Sequence, residues 1–123
     1  MMLRAIIAAA ALSAAAVPAV AQDPAAGERA YAACRACHRV GEGARNTVGP
    51  ALNGIFGQPA ASVAGFAYSD ALKDAGLTWD EATLAEYLKN PKGKVPGTKM
   101  VFNGVKQAGQ LADLVAYLKQ ATQ

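Results

Sequence analysis

An all-α domain of three or four helices joined by long loops is the fold this chain predicts, on three observations. Leu111, Leu114, Val115 and Leu118 recur at i, i+3, i+4 and i+7, the apolar face of an amphipathic helix. Thr78 and Glu81 have the spacing of a capping box, with Leu84, Tyr87 and Leu88 on one helical face behind them. No segment alternates polar and apolar residues convincingly enough to be a half-buried strand.

The amino terminus reads as an export signal ahead of the domain. Arg4 supplies a positive start, residues 5–17 are small and apolar, and Pro18 precedes the small-x-small triplet Ala19-Val20-Ala21. Cleavage after Ala21 removes 21 of the 123 residues and leaves 102, beginning at Gln22. An uncleaved anchor competes, but a spanning helix needs roughly 20 predominantly apolar residues, and this run is shorter and mostly alanine. The expected organisation is therefore a signal peptide over residues 1–21 and one domain over 22–123, exported to the periplasm without stable membrane insertion.

Within the domain, Asp23 caps a helix with Pro24 at its first position, running to about Cys37. Residues 38–68 have no sustained period and are punctuated by glycine and proline, so they are expected to be loop with a turn or two of helix. Ser69-Asp70 starts a short helix ending near Gly76. The capping box opens the next, which Asn90-Pro91 stops. Residues 91–107, rich in Gly, Pro and Lys, form a second loop before the final helix. Loops of this length are uncommon in a compact domain of about 100 residues, unless they enclose something apolar that is not protein.

Cys34-Arg35-Ala36-Cys37-His38 says what that is. C-x-x-C-H is the haem-attachment pattern: two thiols three positions apart reach the two vinyl groups of one haem edge, and the adjacent imidazole lies under the iron. A disulfide, a thioredoxin-like pair and a zinc site are the competing readings. The second lacks a neighbouring βαβ pattern, and the third lacks ligands, because the chain has two cysteines and one histidine. With His38 the only histidine, bis-histidine ligation is excluded. Once Met1 and Met2 leave with the signal, Met100 is the remaining methionine and the candidate sixth ligand. The alternative for Met100 is a gap-filling core side chain.

These segments, taken in order, resemble a class I c-type cytochrome, close to mitochondrial cytochrome c and its soluble bacterial counterparts. The resemblance rests on the C-x-x-C-H motif, Gly49-Pro50 and the Asn53-Gly54-Ile55-Phe56-Gly57 run, Gly65-Phe66-Ala67-Tyr68, Trp79, Tyr87-Leu88-Lys89-Asn90-Pro91, Pro96-Gly97-Thr98-Lys99-Met100 and Phe102. It implies the small cytochrome c fold, one haem c attached through Cys34 and Cys37, and His38 and Met100 as axial ligands. It further implies that Pro50 accepts a hydrogen bond from the His38 ring and that Tyr68 and Trp79 turn toward the propionates. Tyr87 and Thr98 are expected beside Met100, Phe102 over the haem, and Gly27 and Tyr117 where the first and last helices cross. Gln58 and Leu72 depart from the mitochondrial pattern, which commonly has an arginine and an asparagine at those places.

The formal charge of +3 falls to +2 when Arg4 is removed, since eleven basic side chains then face nine acidic ones. So small and dispersed a charge excludes a nucleic-acid binder. Lys92, Lys94, Lys99 and Lys106 flank Met100, and a ring of cations there would steer a redox partner with an acidic docking surface. The expected function is one-electron transfer by a monomeric carrier that is not an enzyme. The alternatives are a peroxidase-like or gas-binding protein, which needs an open sixth position, and a dedicated subunit of a larger complex.

Overall fold

The computed structural model describes residues 9–13 and 22–123, so the expected cleavage segment Ala19-Val20-Ala21 lies outside the described residues. Five helices follow in order: α1 Pro24–Arg35, α2 Asp70–Asp74, α3 Glu81–Lys89, α4 Pro91–Lys94 and α5 Ala108–Ala121. The all-α class holds, and the described residues form no strand, only an isolated antiparallel bridge between Pro59 and Thr78.

Helix α1 begins as the sequence predicts. The Asp23 carboxylate accepts from the Ala25 N–H, and Pro24 takes a position where its missing donor costs nothing. Helix α2 starts on Ser69, whose hydroxyl accepts from the Leu72 N–H. Helix α3 differs from expectation. Asp80, not Thr78, is its N-cap, accepting from the Thr83 N–H at 2.7 Å. A carboxylate there satisfies an orphan donor and also meets the positive end of the helix dipole. Thr78 is occupied elsewhere, in the bridge that lays residues 57–60 beside 77–79.

The fifth helix, α4, lies in a segment expected to be loop. Proline at 91 forces Asn90 out of the helical region, to φ −153°, and this ends α3. The same Asn90 then caps a new turn, its side-chain oxygen accepting from Gly93 N–H at 3.1 Å. One dipeptide stops a helix and starts another, which raises the count from the expected three or four to five.

Helices α1 and α5 cross at Gly27. A Cβ added there would overlap the Asp113 carbonyl and stand 2.7 Å from Tyr117 Cβ, so only a hydrogen side chain lets the backbones approach this closely. The crossing is pinned at its edge by the Asp23 N–H, which donates to Asp113 Oδ1 at 2.8 Å. Tyr31 and Leu114, 2% and 0% exposed, form the centre of a core with Leu84, Leu88, Val115 and Leu118. Burying each such aliphatic side chain contributes about 1.5–3 kcal/mol. A Glu81–Lys119 ion pair links the surfaces of α3 and α5. Among the described residues, no helix is long and apolar enough to cross a membrane.

Candidate functional site

The last turn of α1 delivers the attachment motif. After Arg35 the chain stays wound, and the N–H groups of both Cys37 and His38 donate to the Cys34 carbonyl, at 3.0 and 2.9 Å. This single turn brings Cys34, Cys37 and His38 to the wall of one cavity. The two cysteines form no disulfide with each other. Burial pushes the Cys34 thiol up, with a smaller contribution from Cys37. A thioredoxin-like pair requires the opposite, a thiol pulled down toward neutrality. Among the described residues, no group of three or more His, Cys, Asp or Glu converges to hold a metal ion, so the zinc reading finds no ligand set.

The His38 ring is oriented from two sides. Its Nδ1 lies 2.8 Å from the Pro50 carbonyl oxygen. A carbonyl only accepts, so Nδ1 carries a proton, and in the neutral ring that leaves the lone pair on Nε2. Gly49 lies against the ring, where a Cβ would come within 2.6 Å of His38 Cε1. The loop is laced to the motif by Gly49 N–H and Thr47 hydroxyl, which both donate to the Cys37 carbonyl, at 2.8 and 2.7 Å. Asn46 carries the lacing outward: its Oδ1 accepts from the Ala51 N–H at 2.9 Å and its Nδ2 donates to the Ala64 carbonyl at 3.0 Å. Sequence reading singled out neither Gly49 as a ring contact nor Asn46 at all, because an asparagine in a glycine-rich loop signals only a turn.

Met100 lines the same cavity, half-buried, on the segment after α4. Beside it the Tyr87 and Thr98 hydroxyls share a 2.7 Å hydrogen bond, and burial pushes the Tyr87 phenol up. Trp79 and Tyr87 pack with ring centres 5.2 Å apart. Tyr68 accepts from the Val63 N–H at 3.1 Å, leaving its own hydrogen to donate, and burial raises its pKa as well. Pro50, Tyr68, Trp79, Tyr87, Thr98 and Phe102 all line the cavity, as do Gln58 and Leu72, the two departures from the mitochondrial pattern.

The four lysines do not act alike. Lys99 lines the cavity, donates to the Ala67 carbonyl and lies 4.6 Å above the Phe66 ring. Lys94 pairs with Glu86 at 2.5 Å, and Lys106 donates to the Lys89 carbonyl at 2.7 Å, so both turn toward α3. Lys92 is exposed on α4. Two apolar residues at the mouth face solvent, Val48 at 74% and Val101 at 96% exposed.

The cavity holds about 600 Å³, within the range of cofactor sites. Its donors are two thiols at vinyl-bridging spacing, one imidazole with a free Nε2 and one thioether, a set that fits haem c and fits little else. Comparison with known proteins agrees. The sequence profile described as cytochrome c matches residues 24–122. The chain belongs to the cytochrome c family. It is 52% identical over 109 residues to cytochrome c2 of Blastochloris viridis, covering 89% of this chain and 86% of that protein. It is 54% identical over 98 residues to cytochrome c-554 of Methylosinus trichosporium, covering 80% and 74%. Among solved structures it superposes on cytochrome cH from Methylobacterium extorquens with a TM-score of 0.75 at 52% identity, covering 80% of this chain and 98% of that one. As a family member, this cytochrome carries one haem c, covalently bound through Cys34 and Cys37.

Proposed function

We propose that this cytochrome is a soluble one-electron carrier whose iron is held by His38 Nε2 and Met100 Sδ, and that it passes electrons between exported or membrane-bound redox complexes. The observation that carries the reading is the convergence on one cavity of the C-x-x-C-H turn and Met100. Bound haem c would supply a single-electron ferric–ferrous couple, and a thioether from Met100 together with the His38 imidazole would raise its potential.

The chain's own residues prepare that couple. Pro50 fixes the His38 tautomer. The Tyr87–Thr98 hydrogen bond stiffens the wall beside Met100, so that the iron's surroundings change little between oxidation states. Tyr68 and Trp79 offer donors to the propionates, whose burial would otherwise be costly. Phe102, on the cavity wall, would cover the haem and keep water from it.

Docking falls to the mouth of the cavity. Val48 and Val101 supply an apolar contact there, and Lys99, with exposed Lys92 on α4, supplies positive charge to steer an acidic partner, whereas Lys94 and Lys106, turned toward α3, add to it only at longer range. The mature carrier is read as a periplasmic monomer released by cleavage after Ala21. The likeness to cytochrome c2 of Blastochloris viridis supports the carrier reading. An enzymatic reading needs an open sixth position, which Met100 opposes.

Visible spectra of the purified holoprotein test this. One covalent haem, with the weak long-wavelength band of thioether ligation in the oxidised form, is the expected result. A haem that lacks the band and binds carbon monoxide readily sinks the carrier reading in favour of a gas-binding or peroxidatic one.

A further inference from the structure

We infer that Asn46 is a positioning residue that sets how strongly the His38 ring is polarised, acting through the one peptide group that joins Pro50 to Ala51. The inference rests on reading His38 as the iron ligand. The Pro50 carbonyl and the Ala51 N–H belong to a single planar trans unit and point in opposite directions. His38 Nδ1 lies 2.8 Å from the carbonyl end, and Asn46 Oδ1 lies 2.9 Å from the N–H end. The three groups form one chain: amide oxygen, peptide, imidazole.

Hydrogen bonds in such a chain polarise one another. An acceptor on the amide N–H places more negative charge on the carbonyl oxygen, and that oxygen draws harder on the Nδ1 proton. The imidazole becomes more imidazolate-like and its Nε2 more basic, as outer partners of ligating histidines generally act. A more basic ligand favours the ferric state. Asn46 also holds the peptide plane against rotation, which keeps the carbonyl aimed at the ring.

The orientation of the Asn46 amide is itself determined. Its Nδ2 donates to the Ala64 carbonyl at 3.0 Å while Oδ1 accepts from Ala51. Turned over, it would oppose two acceptors at one end and two donors at the other. Ala64 therefore locks the amide in the orientation that polarises the peptide. The neighbouring Thr47 hydroxyl binds the Cys37 carbonyl and leaves the Pro50–Ala51 group untouched. That contrast separates polarisation from plain loop stiffness.

The test compares Asn46→Ala, Asn46→Asp and Thr47→Val in the holoprotein at high salt. In Asn46→Ala the Ala51 amide and the His38 Nδ1 proton exchange faster. The oxidation equilibrium moves about threefold toward the ferrous form, roughly 30 mV upward at 59 mV per tenfold. Asn46→Asp keeps the acceptor for Ala51 and sits at or below the wild-type potential. Thr47→Val loosens the same loop without touching the Pro50–Ala51 peptide and moves the potential by less than Asn46→Ala does. An unmoved potential and His38 ring in Asn46→Ala, equal shifts in Asn46→Ala and Thr47→Val, or a raised potential in Asn46→Asp each overturn the role of Asn46. If Asn46→Ala does not fold, the sign in Asn46→Asp still decides. Wild-type spectra report on the ligand itself: hyperfine-shifted His38 ring protons uphold it, and their absence removes both the ligand reading and this one.

Discussion

The crossing of α1 and α5 gives a sharp test of what holds the fold, because the same substitution at two helical glycines should act with opposite sign. At Gly27 an alanine Cβ would stand 2.6 Å from the Asp113 carbonyl carbon and 2.7 Å from Tyr117 Cβ, against the 3.4 Å at which ordinary contact begins. The obstructing atoms include α5 backbone, which no rotamer change can move, so the helices must part by about 1 Å. Overpacking a tight site costs typically about 1–3 kcal/mol. Rigid backbone on both sides puts Gly27→Ala near the top of that range, about 3 kcal/mol. Helix propensity returns about 1 kcal/mol, because alanine is the better helix former. The net loss is about 2 kcal/mol. At roughly 4–8 °C per kcal/mol for a domain of this size, the Tm falls by about 8–16 °C. In Gly109→Ala the new Cβ meets nothing nearer than the Gln107 side chain at 4.0 Å. Only the unfolded-chain entropy term remains, worth about 0.4–1 kcal/mol in favour of the fold. Thermal unfolding of both holoproteins, followed by far-ultraviolet circular dichroism, reads the two effects directly. A Gly27→Ala protein as stable as wild type would refute the argument that this crossing depends on backbone contact.

Three further outcomes are expected. Met100→Leu keeps the volume but removes the thioether, so the potential falls, within the ~0.8 V span that axial ligands control, and the ferrous protein binds carbon monoxide; equilibrium redox titration and the carbonyl spectrum check both. Asp80 is held below the usual carboxylate range chiefly by the hydrogen bond from the Thr83 N–H. Its folded pKa is depressed, so its stabilisation is complete above the ordinary aspartate value near about 4 and is lost as pH falls through the lower folded value. Asp80→Asn retains a cap that does not titrate, and the stability difference from wild type, measured by urea unfolding across that acid window, changes in step. Lys99→Gln loses a cation–π contact with Phe66 worth about 0.5–1 kcal/mol. It also slows oxidation by anionic hexacyanoferrate(III) at low salt, a difference that vanishes near 1 M salt, where the screening length is about 3 Å.

Features encoded by local spacing or by scarcity were legible before the chain folded. The attachment motif needs only five consecutive residues. His38 is the chain's one histidine, and Met100 the one methionine after residue 2, so the candidate ligands follow from counting. Helix α5 follows from its period, and α1 from Asp23 and Pro24, since a cap and its helix are neighbours in the chain. Tertiary structure decided what depends on partners distant in sequence. Spacing alone put the cap of α3 at Thr78, but Thr78 is held in the bridge to Pro59 and Asp80 caps the helix instead. Asn90-Pro91 reads as a stop, and that it also starts α4 depends on where the Asn90 side chain turns. Asn46 acquires its place only when Ala64, 18 residues on, folds back to meet it. Gly49 acquires its place only when the loop lies against His38. Periodicity reports which face of a regular element is buried. A loop has no period, so the contacts its hydrogen bonds choose become visible only once the chain has closed around its site.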